Sequence, residues 1–509
     1  MADSPLISTI KYVAGTRPVF RLSEIIPYLD SPATVGEVYR TIAPELPRLG
    51  LSARERGGDV EISRIVLSPP YRLNSGELER TEAFLAAREL PTVLAGAIGQ
   101  YITKKVGKPW DDPVILDRLR KAIVAQKDDY WRPQQKRAIR YTKGYSVLGY
   151  LAYHFPVYFM QTEHLLARLA REGLLKKSMT ILDAGTGPGV VPLAIADFWS
   201  RLDGATATVY SLEQSEEHIE AFLNLRDTFV PRGGAVSVKP PVKADLRGPL
   251  PRTLPERFDL IILSNVLNEL SGSEEDIRPE VVLRLAERLS PDGALVIIEP
   301  ADEENSTRMR TLVAGLGSRG LVVHSPCPAL RGIACTAPRC WSFDVAPGIR
   351  ITRLMEALAR CEEPYRYINT DIKYSFAVLR RAGVPRPGYR LSPDAKAVRL
   401  SKLHLHEGKR VNAVIAKMSG ELGDAKNHLF KVCDGTAKVP VYAVLPAYHR
   451  TPGNEALMTA GYGSVLDMRG VLVRYNKAHN AWNLLVSRNT VVRVMGDEDI
   501  STCRDLQEL

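Results

Sequence analysis

Residues 181–191, reading Ile-Leu-Asp-Ala-Gly-Thr-Gly-Pro-Gly-Val-Val, constrain this chain more than any other stretch. Residues 179–182 are short, apolar and β-branched, end on Asp183, and run into Gly185, Gly187 and Gly189 before a helix-like run over 190–199. That order predicts a strand, a tight turn and a helix start. Glycines suit such a turn because a side chain would keep a ligand from the backbone, and a sharp strand-to-helix turn often needs positive φ. The spacing differs from the dinucleotide fingerprint Gly-x-Gly-x-x-Gly, whose helix amides face a pyrophosphate. Here the third glycine comes one residue earlier. Beyond it, Glu213 ends a second strand-like run over 207–212, where it would accept both hydroxyls of a ribose. The bland alternative is an ordinary glycine-rich connection in an α/β sheet.

Asp183-Ala184-Gly185-Thr186-Gly187-Pro188-Gly189 followed by a strand-end acid resembles the S-adenosylmethionine (SAM) site of class I methyltransferases. SAM carries a sulfonium and a carboxylate but no phosphate, so a glycine turn beside carboxylates suits it better than an anion cradle. The resemblance implies a Rossmann-like α/β sheet and a cofactor set of Asp183, Gly185, Thr186, Gly187, Gly189, Glu213, Asp245 and Asn265. Residues 236–239 read as a third strand, and Asp245 follows where this fold commonly contacts the adenine. A fourth strand over 258–265 is too apolar to be an edge. Its carboxyl end, with Asn265, Asn268 and Glu269, faces the crevice where open α/β sheets bind ligands. A fifth strand over 295–300 follows a Pro-Asp-Gly turn, and a helix over 306–316 and strands over 321–324 and 374–379 complete the core. An amphipathic helix over 161–172 is expected to pack on the sheet ahead of the first strand.

With 509 residues the chain exceeds one ordinary core. The pattern divides it into a mostly helical region over 1–135 with short extended pieces such as 60–67, a core over 136–385 and a β-rich module over 395–500. A composition 45% hydrophobic and 25% charged is that of a soluble globular protein. A net charge of +10 mildly favours a polyanionic partner. No run of 18 apolar residues predicts a membrane span. The start, Met1-Ala2-Asp3-Ser4-Pro5, lacks the basic and apolar segments of a leader, so the expected location is cytoplasmic. No chemical motif marks residues 1–135 until a basic, aromatic-interleaved stretch over 130–143, suited to gripping phosphates and stacking bases or simply a solvated helix face.

Six cysteines in such a chain form no secreted disulfide framework, so their grouping matters more than their number. Cys327, Cys335 and Cys340 fall together among prolines and glycine in a loop over 325–343. Thiolates gathered this way usually hold a soft metal centre. The spacing lacks the Cys-x-x-Cys knuckle of structural zinc. A fourth ligand must come from elsewhere: Cys361 and Cys433 are candidates, and Cys503 is the poorest.

These residues, with 150–158, 183–189, 265–270, Glu299-Pro300, Cys340-Trp341-Ser342-Phe343 and 373–376, resemble the SAM-methyltransferase-like proteins of the small ribosomal subunit, known from mitochondria with bacterial and archaeal relatives. The resemblance covers roughly residues 130–385, with a weaker echo around Cys433. It implies a [4Fe-4S] cluster on Cys327, Cys335, Cys340 and Cys433, with zinc the less favoured metal. Ala329 and Ser342 stand where the family often has His.

From about residue 399 the pattern becomes alternating strands, over 411–418, 428–445 with a turn at Asp434-Gly435-Thr436, 470–475 and 482–486. The set looks like an OB-fold barrel of the type that binds single-stranded nucleic acid. Lys417, Lys431, Tyr442, Arg474, Tyr475 and Trp482 would supply phosphate contacts and stacking surfaces, unless the aromatics are barrel core. The expected partners are ribosomal RNA and the small subunit, with the protein monomeric away from it. The expected function is a SAM-dependent, iron-sulfur rRNA methyltransferase-like protein that acts on or assembles that subunit. A catalytically silent SAM- and RNA-binding assembly factor is the alternative, and a zinc-stapled small-molecule methyltransferase is disfavoured by the tail. No catalytic residue is assignable: Ser264-Asn265-Val266-Leu267 stands where amine methylation usually calls for Asn/Asp-Pro-Pro-aromatic, and no cysteine follows the fourth or fifth strand.

Overall fold

The computed structural model describes residues 4–29, 32–43, 45–131, 144–270, 276–328, 330–331, 335, 340–381, 391 and 395–495. The chain divides into two compact units, one of Met1–Leu67, Ala301–Asp344 and Phe376–Leu509, the other of Ser68–Pro300 and Val345–Ser375. Among the described residues no helix is long and apolar enough to cross a membrane.

The first unit opens with α1 (Pro5–Thr16), β1 (Val19–Arg21), α2 (Val35–Ile42), β2 (Leu51–Arg56) and β3 (Asp59–Arg64). The strands pair antiparallel in the order β1-β3-β2. Ile10, Phe20, Leu22, Ile42, Leu51 and Ile62 form a core of their own beneath them. The extended piece expected over 60–67 overlaps β3, whereas β1 and β2, which are short and carry few β-branched residues, were not separated from the helical pattern.

The second unit begins with α3 (Ser75–Ala87), α4 (Thr92–Val106), α5 (Pro113–Trp131), α6 (Ser146–Tyr153) and α7 (Phe155–Arg171). The chain breaks between α6 and α7 at His154, where Pro156 has no N–H to continue the ladder. The helix expected over 161–172 starts earlier, at Phe155, and is covered on both faces rather than one, with Phe159, Leu165, Leu166 and Leu169 all buried. Buried Glu163 on the same helix is paired with Arg201.

The sheet follows as β4 (Ser178–Ala184), α8 (Val190–Ser200), β5 (Thr206–Glu213), α9 (Glu216–Phe229), β6 (Val236–Val238), β7 (Val242–Lys243), β8 (Phe258–Ser264), α10 (Arg278–Glu287) and β9 (Leu289–Pro300). The parallel strands lie in the order β9-β8-β4-β5-β6, with β7 extending the pairing of β5. Strand order reverses beside β4, which puts the ligand crevice of a doubly wound sheet at its carboxyl end. The expected Pro-Asp-Gly turn is instead a bulge inside β9, where the register with β8 jumps from Leu289↔Phe258 to Ala294↔Leu260.

The remainder comprises α11 (Glu303–Leu316), β10 (Leu321–Ser325), β11 (Asp344–Ala346), α12 (Arg353–Leu358), β12 (Ile372–Arg381), β13 (Arg410–Lys417), β14 (Asn427–Cys433), β15 (Val441–Pro446), α13 (Ala456–Thr459), β16 (Val465–Asn476), β17 (Ala481–Leu485) and β18 (Val491–Val494). In the first unit β10 runs antiparallel to β12. Strands β13, β14, β15, β17 and β16 close into a five-stranded barrel through the β13–β16 pairing, with β15 and β17 parallel. This is the connectivity of an OB barrel. Ile415, Phe430, Ala443, Leu466, Val473 and Leu484 fill it. A sixth strand, β18, which the sequence reading did not separate from the tail, pairs with β16.

Gly189 and Gly187 have positive φ of 89° and 53° in the turn after β4. A Cβ on Gly189 would lie 2.1 Å from the Phe222 ring, whereas one on Gly187 meets nothing nearer than His218 at 3.9 Å. Gly189→Ala is expected to lower the unfolding free energy by about 3 kcal/mol, combining overpacking with strain. Gly187→Ala carries the strain alone, about 1 kcal/mol. Urea denaturation of both variants checks this, and equal losses would show that packing on Phe222 does not set the requirement.

Candidate functional site

The turn after β4 is tied to the end of its neighbour. The amides of Gly185 and Thr186 both donate to Leu212 O at 2.9 Å, and the amide of Gly187 donates to Glu213 Oε2 at 2.8 Å. Gly185, at φ 86°, cannot take a side chain because its Cβ would meet Val266 at 2.5 Å. The glycines therefore answer to protein neighbours, and three successive amides are engaged inside the fold rather than offered to a phosphate. Around them opens a cavity of about 540 Å³. Asp183, Gly185, Thr186, Gly187, Glu213, Asp245 and Asn265 all line it. Gly189 does not, since it packs α8 onto α9 instead.

The electrostatics suit a cationic, hydroxyl-bearing ligand. Asp183 is buried, and burial pushes its carboxyl up to about 7, with Glu213 adding to the rise and Thr186 opposing it. Neither Asp183 oxygen makes a well-formed hydrogen bond among the described residues. A buried carboxyl of this kind is stabilised in its charged form by an incoming ammonium or hydroxyl donor. Burial alone would raise Glu213, but His218 and the amides of Ser215 and Gly187 overcome it and hold the carboxyl below its ordinary value. Asp245 Oδ1 accepts the Arg247 amide at 2.9 Å, and Arg247 Nη1 lies 3.7 Å from Oδ2.

The opposite wall follows β8. Asn265 adopts a left-handed backbone, φ 56°, uncommon for a residue with a side chain and typical of sites where the fold enforces strain. Its amide donates to Ile298 O at 2.8 Å. Buried Glu299 holds the next turn by accepting the Leu267 amide at 3.0 Å. Glu269, expected at the crevice from the sequence, lines the cavity, and so do Tyr150, Tyr158 and His218, which were not singled out as site residues. The signal was the aromatic spacing of Tyr150, Tyr153, His154 and Tyr158, which reads equally well as helix packing.

In the first unit, Cys327, Cys340 and Cys433 are half-buried and Cys335 is exposed. Burial pushes the Cys433 thiol up, and the nearby Cys340, Cys327 and Cys335 push it further, so all four lie in one electrostatic neighbourhood. Cys433 Sγ accepts the Gly435 amide at 3.2 Å, and Lys431 Nζ is 3.9 Å from Cys340 Sγ. The donor chemistry suits a thiolate-held centre. The spacing does not close on one: among the described residues no three Cys, His, Asp or Glu side chains are grouped to hold a metal ion. Cys361 is exposed and belongs to the other unit. Cys503 lies outside the described residues, as does the basic stretch over 132–143.

The cysteine loop is anchored to the barrel by contacts that need no metal. Leu330 packs with Leu391, Val414 and Val465. Arg331 Nε donates to buried Asp434 Oδ2 at 3.1 Å, and Phe343 bridges to Ser419. Ser342 accepts from Arg310 Nε at 3.1 Å and lies 3.2 Å from the Tyr462 hydroxyl.

Two expected nucleic-acid contacts are buried instead. Lys417 donates to Met458 O and Ala460 O over the Phe430 ring, and burial lowers its pKa to about 8. Lys431 donates to Trp341 O at 2.6 Å. Both sit where another segment covers the barrel wall, which strand alternation alone does not reveal. Arg474 is exposed, Tyr442, Tyr475 and Trp482 are half-buried, and the last two rings pack 4.9 Å apart.

Burial raises the Glu299 carboxyl from 4.5 to about 8. The folded state therefore holds this proton more tightly than the unfolded one. Stability is complete below about pH 4.5 and falls as pH climbs towards 8; Asp183 acts with the same sign up to about 7. Thermal unfolding is expected to show the midpoint dropping between pH 5 and 8, with a shallower drop in Glu299→Gln. A midpoint that rises over this window, in parallel for both proteins, contradicts the assignment.

No curated protein matches the chain. Among solved structures, it is similar to magnesium protoporphyrin IX methyltransferase from Synechocystis, with bound SAH, at 13% identity and TM-score 0.28 over 53% of this chain and 99% of that one. A candidate RNA methyltransferase from Pyrococcus horikoshii is 15% identical, with TM-score 0.27 over 44% of this chain and 88% of that one. The fibrillarin/Nop5p complex is 16% identical, with TM-score 0.23 over 41% and 74% respectively. Residues 3–57 and 401–495 match the N-terminal and C-terminal domains of a family of unknown function. The family model for mitochondrial small ribosomal subunit Rsm22 matches residues 144–419, more than half of the 509, and the chain belongs to that family.

Proposed function

We propose that this protein binds SAM in the crevice beside β4 and works as a methyltransferase-like factor of the small ribosomal subunit, with rRNA as its partner. The observation that carries this reading is the glycine turn whose amides are engaged by Leu212 and Glu213 while Asp183 and Glu213 face the cavity. Such a site disfavours phosphate and favours a ligand bearing an ammonium group and ribose hydroxyls. Asp183 would hold the ammonium end, Glu213 the ribose and Asp245 the adenine side. SAM, when bound, supplies an electrophilic methyl group. Asn265 and Glu269, on the facing wall, would orient the acceptor. Membership of the Rsm22 family supports the ribosomal setting.

The loop thiols Cys327, Cys335 and Cys340, with Cys433 from the barrel, would hold a [4Fe-4S] cluster. Its support is their common neighbourhood and the cations Lys431 and Arg310 beside it. A second reading, a silent assembly factor that binds SAM and RNA without methyl transfer, is favoured by two observations: among the described residues no cysteine lines the cavity, and no Asn/Asp-Pro-Pro-aromatic run follows β8 in the sequence.

Purified small subunits incubated with methyl-labelled SAM separate the two. Label in the rRNA, lost in Asp183→Asn together with a SAM affinity weakened about 10- to 100-fold, is the expected result. No incorporation with intact subunit binding in both proteins establishes the silent reading. Undiminished SAM binding in Asp183→Asn overturns the cofactor assignment. For the cysteines, anaerobically purified protein should contain iron and sulfide and absorb visible light, with the colour lost in Cys335→Ser; stoichiometric zinc in their place refutes the cluster.

A further inference from the structure

Helices α6 and α7 form one wall of the crevice. From residue 147 to 163 every side chain is buried except Tyr150 and Tyr158, and both of these line the cavity. Their rings lie 6.1 Å apart at 58°, with His154 packed against each at 5.5 and 5.6 Å. Tyr150 also approaches His218 at 5.9 Å, and His218 lies 3.9 Å from Glu213, so Tyr150 leans towards the cofactor side. Tyr158 lies in the field of Glu269 and Glu299, at the ends of β8 and β9. Burial first, and then the neighbouring acids, hold both phenols protonated. They are neutral rings and hydrogen-bond donors, not bases.

We infer that Tyr150 and Tyr158 form the receiving wall for the methyl acceptor, and that the acceptor is a planar nucleobase taken from single-stranded or locally opened RNA. The inference rests on the SAM reading of the crevice and names the acceptor of that same site. Three features select the class. The two rings lie side by side on one wall, centroids 6.1 Å apart and tilted by 58°, so they offer a stacking face rather than the enclosing cage that an alkylammonium prefers. The facing wall supplies Ser264, Asn265 and Glu269, groups that accept from an exocyclic amine or ring N–H. Among the described lining residues Arg247 is engaged by Asp245 and His218 lies beside Glu213, both on the cofactor side, which leaves the acceptor side hostile to carboxylates. A base inside a duplex cannot reach such a wall without leaving its stack.

The test uses the full chain with saturating S-adenosylhomocysteine. Saturation-transfer NMR with adenosine, cytidine, guanosine and uridine, and with an Nα-acetyl-lysine amide as rival, reads acceptor binding. At least one nucleoside should bind through its base protons while S-adenosylhomocysteine remains in place. Tyr158→Phe should keep that affinity and Tyr158→Leu should lose about tenfold or more, the scale of one base–aromatic stack. The S-adenosylhomocysteine affinity should stay within about twofold in both variants, since neither change touches the groups assigned to the cofactor. Equal nucleoside affinity in the two variants, or binding of the lysine amide alone, overturns the inference. Wild-type protein that fails to bind S-adenosylhomocysteine fails the cofactor reading itself and is told apart by that measurement. Should Tyr158→Leu not fold, photo-crosslinking of 4-thiouridine monophosphate to the wild-type protein decides: a crosslink to Tyr150 or Tyr158 upholds the stacking wall, and crosslinks confined to other segments refute it.

Discussion

The architecture of the crevice hangs on one set of hydrogen bonds: the amides of Gly185, Thr186 and Gly187 reaching across to Leu212 and Glu213. They join the carboxyl ends of β4 and β5 and pull the turn flat. The same bonds turn an otherwise anion-friendly glycine loop into one with few amides to offer. Two consequences follow. Asp183 is left buried and facing the cavity with its carboxyl raised to about 7, and Glu213 is fixed by three backbone amides at 2.8–2.9 Å with its charge retained. A crevice with this charge arrangement discriminates between nucleotide cofactors before any specific contact forms, because burying a phosphate beside two carboxylates carries a large electrostatic cost.

The other unit shows a different way of fixing a loop. Residues 325–343 carry many prolines and a string of cysteines, and side chains among the described residues tie the loop to the barrel at both ends, through Leu330 and Arg331 near its start and Ser342 and Phe343 near its close. The Arg331–Asp434 pair is nearly inaccessible to water, and Asp434 also accepts the Leu400 amide at 3.0 Å, so neither charge is left uncompensated. A metal centre in this neighbourhood would reinforce an attachment that exists without it. Loss of the centre should then loosen the loop without unfolding the barrel, whose core is complete in itself.

Much of this was legible in the sequence where the signal is local. The glycine turn, the apolar strand ending at Ser264 and the alternating strands of the barrel depend on near neighbours, and the structure places them within a few residues of expectation. Seven of the eight residues proposed for the cofactor line a single cavity. The departures share a cause in tertiary contacts. Gly189 serves Phe222 rather than a ligand; Lys417 and Lys431 follow the strand alternation of exposed residues but are covered by segments distant in sequence; the Pro-Asp-Gly of β9 is absorbed by pairing with β8. Tyr150 and Tyr158 were visible as aromatics and not as a wall, because a spacing of eight puts both on one helix face that reads equally well as packing. The cysteines were legible as a group, but no spacing rule reports whether four sulfurs meet.

The most direct measurement is calorimetric titration of the full chain with S-adenosylhomocysteine and, separately, with a phosphate-bearing dinucleotide such as NAD at near-neutral pH. A crevice whose turn amides are already engaged and whose walls carry Asp183 and Glu213 should bind the first and leave the second without detectable heat. Tighter binding of the dinucleotide than of S-adenosylhomocysteine would contradict the reading of the crevice at its root.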